Sequence, residues 1–136
     1  MALNPHFLLA ARNAMLDAIT VKVSSSGVLT IYAGGQPADC SAATTAGNTV
    51  LATLLMAATS FGAAAASIMT ANAIANDTSA VGGTAAWFSI TNSTGARVMD
   101  GSVGATAATY DLVLNSVTIT TGATVAVSSV TVTIPS

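Results

Sequence analysis

From Thr84 onward the sequence falls into four runs rich in β-branched residues: Thr84 to Thr91, Arg97 to Val103, Leu112 to Thr120 and Thr124 to Ile134. Val, Ile and Thr favour extended backbone, because two heavy atoms on Cβ restrict χ1 and pack well on a pleated surface. Between the runs stand Asn92-Ser93-Thr94-Gly95, the stretch Gly104 to Thr109, and Thr121-Gly122-Ala123, all of turn composition. Within the third run Val113, Asn115, Val117 and Ile119 alternate with Leu112, Leu114, Ser116 and Thr118, and Thr121-Gly122 after it predicts a hairpin to the fourth. Short strands at regular spacing predict a mainly β chain, a β-sandwich or jelly-roll-like single domain. A length of 136 residues suits one domain spanning 1–136.

The first half adds one helix. Asn4-Pro5 predicts its start, since Asn caps free backbone N–H groups and Pro suits the first helical position. The helix is expected over about 5–19, with Leu8, Ala11, Met15 and Ile19 as its apolar stripe, Phe7, Leu16 and Ala18 at the margins, and Asn13 and Asp17 opposite. Arg12 projects between Leu8 and Leu16 on the apolar side. Its long stem can lie along that face while the head reaches solvent or an acid; the sharper reading is a contact to a partner subunit. Ser24-Ser25-Ser26-Gly27 predicts a turn, and Val28 to Tyr32 a strand that opens the β-rich body of about 28–134. Asp39 to Asn48 has loop composition. Thr49 to Ala57 suits a buried strand better than a short helix, and Phe61 to Ala66 stays open between helix and loop.

Charge then limits function. Only 6% of residues are charged, against about 25% in an average soluble protein. The acids are Asp17, Asp39, Asp77, Asp100 and Asp111, with no Glu; the cations are Arg12, Lys22 and Arg97. Three scattered cations make neither a nucleic-acid footprint nor a polybasic membrane segment. A mean hydropathy of +0.71 comes largely from Ala, and the apolar window Val50 to Ala66 is broken by Thr53, Thr59, Ser60 and Gly62. A spanning helix needs about 20 predominantly apolar residues, so none is expected. The N-terminus lacks the basic region and long apolar stretch of a secretory signal, and a single cysteine forms no intrachain disulfide; synthesis in the cytosol is expected. A neutral surface of Ala, Ser, Thr, Gly and Asn suits a protein packed against copies of itself or a scaffold.

No residue pattern supplies chemistry. His6 has no second ligand at metal spacing. Cys40 has no basic neighbour to lower its pKa and would need His6 beside it to act as a nucleophile. Asn76-Asp77 and Asp100-Gly101 fit turns better than a calcium loop, and Gly34-Gly35 and Gly82-Gly83 precede no phosphate-binding lysine. Asn76-Asp77-Thr78 and Asn92-Ser93-Thr94 match a glycosylation pattern that has no role without secretion. No catalytic residue, metal or cofactor is expected. Trp87-Phe88 is different: adjacent strand residues face opposite sides, so one ring enters the core and the other meets solvent, a further layer or another subunit. Arg12, Trp87 and Phe88 are therefore the candidate interface residues.

Ala11 to Ala18 (ARNAMLDA), Leu29 to Pro37 (LTIYAGGQP), Ser60 to Ala63 (SFGA), Gly83 to Phe88 (GTAAWF), Met99 to Gly104 (MDGSVG) and Val130 to Pro135 (VTVTIP) follow one another in an order that resembles a family of small virion proteins of tailed bacteriophages. Its members are similar to capsid decoration, or cement, proteins. The resemblance covers nearly the whole chain. It implies a structural protein on the capsid exterior, made in the host cytoplasm. The implied partners are the major capsid protein and itself, as a homo-oligomer such as a trimer. A second reading is a tail, baseplate or fibre-associated structural or host-binding module.

Overall fold

A computed structural model describes residues 5–106 and 109–135. The order of elements is α1 (Leu9–Val23), β1 (Val28–Ala33), β2 (Thr49–Leu55), β3 (Ile68–Thr70), β4 (Gly83–Thr84), β5 (Trp87–Thr91), β6 (Arg97–Gly104), β7 (Leu112–Val113), β8 (Thr118–Ile119) and β9 (Thr131–Thr133). The main sheet has the order β2-β1-β5-β6-β7, antiparallel except for the short β6–β7 pair, and β3-β9 and β4-β8 form two small ribbons. The chain is mainly β with one N-terminal helix, as the strand-rich sequence requires.

Alternation in β1 sets both faces of the sheet. Leu29 pairs with Leu54 and Ile90, and Ile31 with Ala52 and Phe88. These side chains join Leu16, Val23, Phe61, Met69, Val103 and Leu112 in one core cluster. Burying a Val, Leu, Ile, Phe or Met is worth roughly 1.5–3 kcal/mol, so these side chains together give the sheet its driving force. On the opposite face Thr30 meets Thr53 and Ser89, Ser89 meets Asp100, and Tyr32 meets Trp87.

Edge protection comes from irregular chain. Along the outer side of β2, Val81 N–H donates to Leu51 O, and Ala75 N–H to Leu55 O. Between them the Asp77 carboxylate accepts Thr53 N–H at 2.7 Å. The segment 75–81 thus closes an edge that would otherwise present unpaired groups.

The helix departs from expectation. It begins at Leu9, with Leu8 as an N-cap lacking a side-chain bond, and runs to Val23. Pro5 to Leu8 are not helical, and the expected Asn4 cap lies outside the described residues. Its buried residues are Leu16 and Val23, whereas Leu8 and Met15 of the expected stripe are exposed. Ala11 and Ile19 of that stripe are half-buried, Ile19 against the core, and the polar side also bonds to the body. Asn13 Oδ1 accepts Ser67 N–H at 2.9 Å and Asp17 Oδ1 accepts Ala64 N–H at 2.8 Å. Ending the helix at Ile19 hid Val23, one heptad beyond Leu16, and with it the true inward direction.

Those two bonds hold a strained turn. Ala65 and Ile68 exchange both backbone hydrogen bonds around Ala66 and Ser67, which have φ of 52° and 64°. A two-residue hairpin turn with positive φ at both centres normally uses Gly or Asn. Phe61 to Ala66 is thus neither helix nor regular strand, and forms isolated bridges to Ala71 and Ile68.

The second half is more broken than its runs predict. Thr84 to Thr91 divides at Ala85-Ala86 into β4 and β5. Leu112 to Thr120 divides because its alternation changes phase: Leu112 and Leu114 are buried, then Ile119, with Asn115 and Ser116 exposed between them. A continuous strand would have placed one of these pairs in solvent. The hairpin at Thr121-Gly122 does not form. The turn exists, with Ala123 N–H bonded to Thr120 O and Gly122 at φ 79°, but β8 pairs with β4 and β9 with β3. Of Thr124 to Ile134 only Thr131–Thr133 is regular strand.

Replacing Ala66 by Gly should raise stability by about 1 kcal/mol, since a side chain in the left-handed region costs about that much. An unchanged or lower urea midpoint would contradict the turn geometry. Acid should weaken the fold. Thr53 N–H, then Ser79, holds the Asp77 carboxyl below the ordinary value of 3.8; the Ser102 N–H and hydroxyl do the same for Asp111. A carboxyl with a lowered folded pKa contributes stability fully above its unfolded value, and loses that contribution as pH falls through the folded value. The urea midpoint should therefore be flat from about pH 7 to 5 and decline below about pH 4. A midpoint at about pH 2.5 equal to that at neutrality would refute the assignment.

Candidate interaction surface

On the outer face of the main sheet the Tyr32 and Trp87 rings stack, with centroids 4.1 Å apart and planes 8° from parallel. The Arg97 guanidinium carbon lies 5.3 Å from the Trp87 centroid. Arg97 Nη1 is 3.3 Å from Asp100 Oδ2, and the two side chains are only 12% and 10% exposed. Gln36 Nε2 donates to Asp100 Oδ1 at 2.8 Å. The loop residues Cys40 to Thr44 border a shallow cleft of about 500 Å³ with Tyr32, Ser89, Thr91 and Arg97.

This assembly buries Trp87 completely on the face away from the core. Phe88 faces the core opposite Gly101, where a Cβ would stand 2.7 Å from its ring. One ring enters the core and the other meets a further layer of the same chain. Trp87 and Phe88, the two aromatic interface candidates, therefore lie inside the protein and present no surface to a partner.

Cys40 stands next to Asp39 in the loop that borders this cleft. Burial pushes its thiol up, and Asp100 adds to the rise, so it is held in the protonated form that is a poor nucleophile. His6 lies on a different segment, just before α1. Among the described residues no group of three or more His, Cys, Asp or Glu is placed to hold a metal ion, and no helix is long and apolar enough to cross a membrane.

Arg12 stands apart. It is half-buried on α1, one helical turn from Leu8 and from Met15, and its Nε is covered without a hydrogen-bond partner. Around it Phe7, Leu8, Leu9 and Met15 are exposed, Leu8 by 75%, and Val21 is equally exposed further along. Three consecutive exposed large apolar residues are a fault in a free monomer unless they have a use. The signal for this surface was present in the Leu8–Met15 stripe.

The hydrogen-bonding roles of the aspartates were what the sequence concealed. Asp39 accepts from Ser41 and Ala42, Asp77 from Thr53 and Ser79, Asp111 from Ser102, and Asp17 from Ala64. Only Asp100 forms an ion pair among the described residues. No protein-family model, curated protein or solved structure matches the chain.

Replacing Arg97 by Ala should cost about 1–3 kcal/mol, because it leaves the covered Asp100 carboxylate without its cation and uncovers the Trp87 ring. Trp87 is the single tryptophan, so its emission should shift to the red in the folded variant. Unchanged emission and stability would show that the stack does not depend on Arg97.

Proposed function

We propose that this chain is a capsid decoration protein of a tailed bacteriophage, binding the outside of the assembled head shell and stabilising it. The phage assignment rests on the order of sequence motifs from Ala11 to Pro135. The structural observation that supports a binding role is the exposed apolar face of α1 on a body that carries so few charges. Such a surface favours attachment by apolar burial and by backbone or hydroxyl hydrogen bonds, with ion pairs at the solvent-exposed rim adding little. Many copies on a lattice add avidity to individually modest contacts.

Two measurements test this reading on purified particles. Copy number should match the repeat of the head lattice; a few copies per particle would sink the decoration reading and favour the tail, baseplate or fibre location. Washing should leave the protein attached in high salt and release it in mild denaturant. Release by moderate salt alone would mean that screened charge dominates the attachment.

A further inference from the structure

We propose that the groove between the β6–β7 edge of the main sheet and the C-terminal run 126–133 takes an extended strand of a partner protein, held by main-chain hydrogen bonds from both sides. The inference goes beyond the decoration reading and does not depend on which assembly the partner belongs to.

Two clefts follow one another along this side of the molecule. One, of about 270 Å³, is lined by Met99, Asp100 and Gly101 of β6 and by Thr131, Val132 and Thr133 of β9. The other, of about 650 Å³, is lined by Val113, Leu114 and Asn115 and by the stretch Ala126 to Ser129. Passing from the first cleft to the second, the sheet edge runs up the chain and the C-terminal run runs down it, so the two walls are antiparallel. Eight residues of extended chain span roughly 25 Å. The C-terminal run has strand composition and strand alternation, with Val125, Val127 and Val130 buried and Ala126, Ser128 and Thr131 exposed. Only Thr131–Thr133 of it is regular strand.

The direction of the main-chain groups follows from the bonds that are made. Val103 N–H donates to Ala86 O, on the β5 side. Alternation then turns the main-chain groups of Asp100 and Ser102 to the other side, and Ser102 N–H does end there, on Asp111 Oδ2. Ile134 N–H donates to Ser67 O and Ala71 N–H to Val130 O. The main-chain groups of Thr131 and Thr133 therefore turn away from β3, towards the cleft they line. No strand pairs with either wall there. The far edge of the sheet, at β2, is closed by the segment 75–81, whereas this one stands open. Facing rows of main-chain donors and acceptors specify an extended polypeptide as their occupant. Ile74, Leu114 and Val127 line one cleft, Phe88 and Val130 the other, so the incoming strand presents small apolar side chains inward and polar ones outward. The described strands of this chain each pair within it, and a second copy would have to break its own sheet to donate one. The donor is a protein with an unpaired arm.

The test has two arms on the full chain. Amide exchange on the purified protein reads the open edge directly. Asp100, Thr131 and Thr133 should exchange at least about tenfold faster than Ala71 and Val103, whose N–H groups are bonded. Equal protection would mean that the groove is already closed, by this chain or by a second copy, and would overturn the proposal. In the native cells, a benzophenone amino acid replaces either Ser128 or, for comparison, the exposed Val21 of α1. Position 128 should cross-link to a different polypeptide. Thr131→Pro removes an N–H that faces the groove and none that meets β3, so it should lower the yield roughly tenfold, while Thr131→Val leaves it unchanged, each variant first shown folded by circular dichroism. Cross-linking to another copy, a yield indifferent to Thr131→Pro, or no cross-link from position 128 would overturn the proposal. A chain found in head shells but cross-linked only from position 21 defeats this inference and leaves decoration standing. A chain absent from head shells that still cross-links from position 128 to another protein does the reverse.

Discussion

The carboxylate of aspartate accepting a backbone N–H is the interaction on which the rest of this structure depends. Asp17 reaches Ala64 and Asp77 reaches Thr53, 47 and 24 residues away in sequence. Asp39 and the second oxygen of Asp77 close local turns, and Asp111 reaches back to Ser102 of β6. Hydrogen bonds to an ionised acceptor are shorter and roughly twice as strong as neutral ones. A side chain with a single methylene holds its acceptor close to the backbone and loses little entropy in doing so. These ties hold the carboxylates in place, and with only 6% of residues charged the surface around them is largely neutral.

The rotation of the helix follows from the same constraint. A surface helix ordinarily buries its apolar stripe and exposes its polar one. Here the amides of the strained 64–67 turn need acceptors, and α1 meets them with Asn13 and Asp17 while Leu16 and Val23 reach the core. Serving both fixes the rotation of the helix. Leu8, Met15 and Val21 are then left outside. The exposed apolar residues of α1 are thus the geometric consequence of contacts made on its other side.

How much of this was legible in the sequence depended on the range of the interaction. β1 and β2 were readable because their side chains alternate or form an apolar run and their turns carry Gly and Pro. The opposite fates of Trp87 and Phe88 followed from strand periodicity alone, although the packing of Tyr32 and Arg97 on the Trp87 ring did not. The break at Asn115-Ser116 was visible only as two apolar sets out of phase, which local alternation reads as one strand. The pairing of β8 with β4 and of β9 with β3 had no local signal, since a turn at Thr121-Gly122 suits a hairpin equally well. The aspartate ties were the least legible: Asp next to Gly, Ser or Thr reads as a turn, and nothing in Asp17 or Asp77 announces a partner several elements away.

Amide hydrogen exchange at Thr53, Ala64 and Ser102 tests the central claim most directly, because their N–H groups end on carboxylates of Asp77, Asp17 and Asp111. All three should exchange far more slowly than amides of unstructured peptides, and each should lose its protection when its own aspartate, and no other, is replaced by Ala. Exchange at unstructured rates in the wild-type chain, or protection that survives removal of the matching carboxylate, would contradict it.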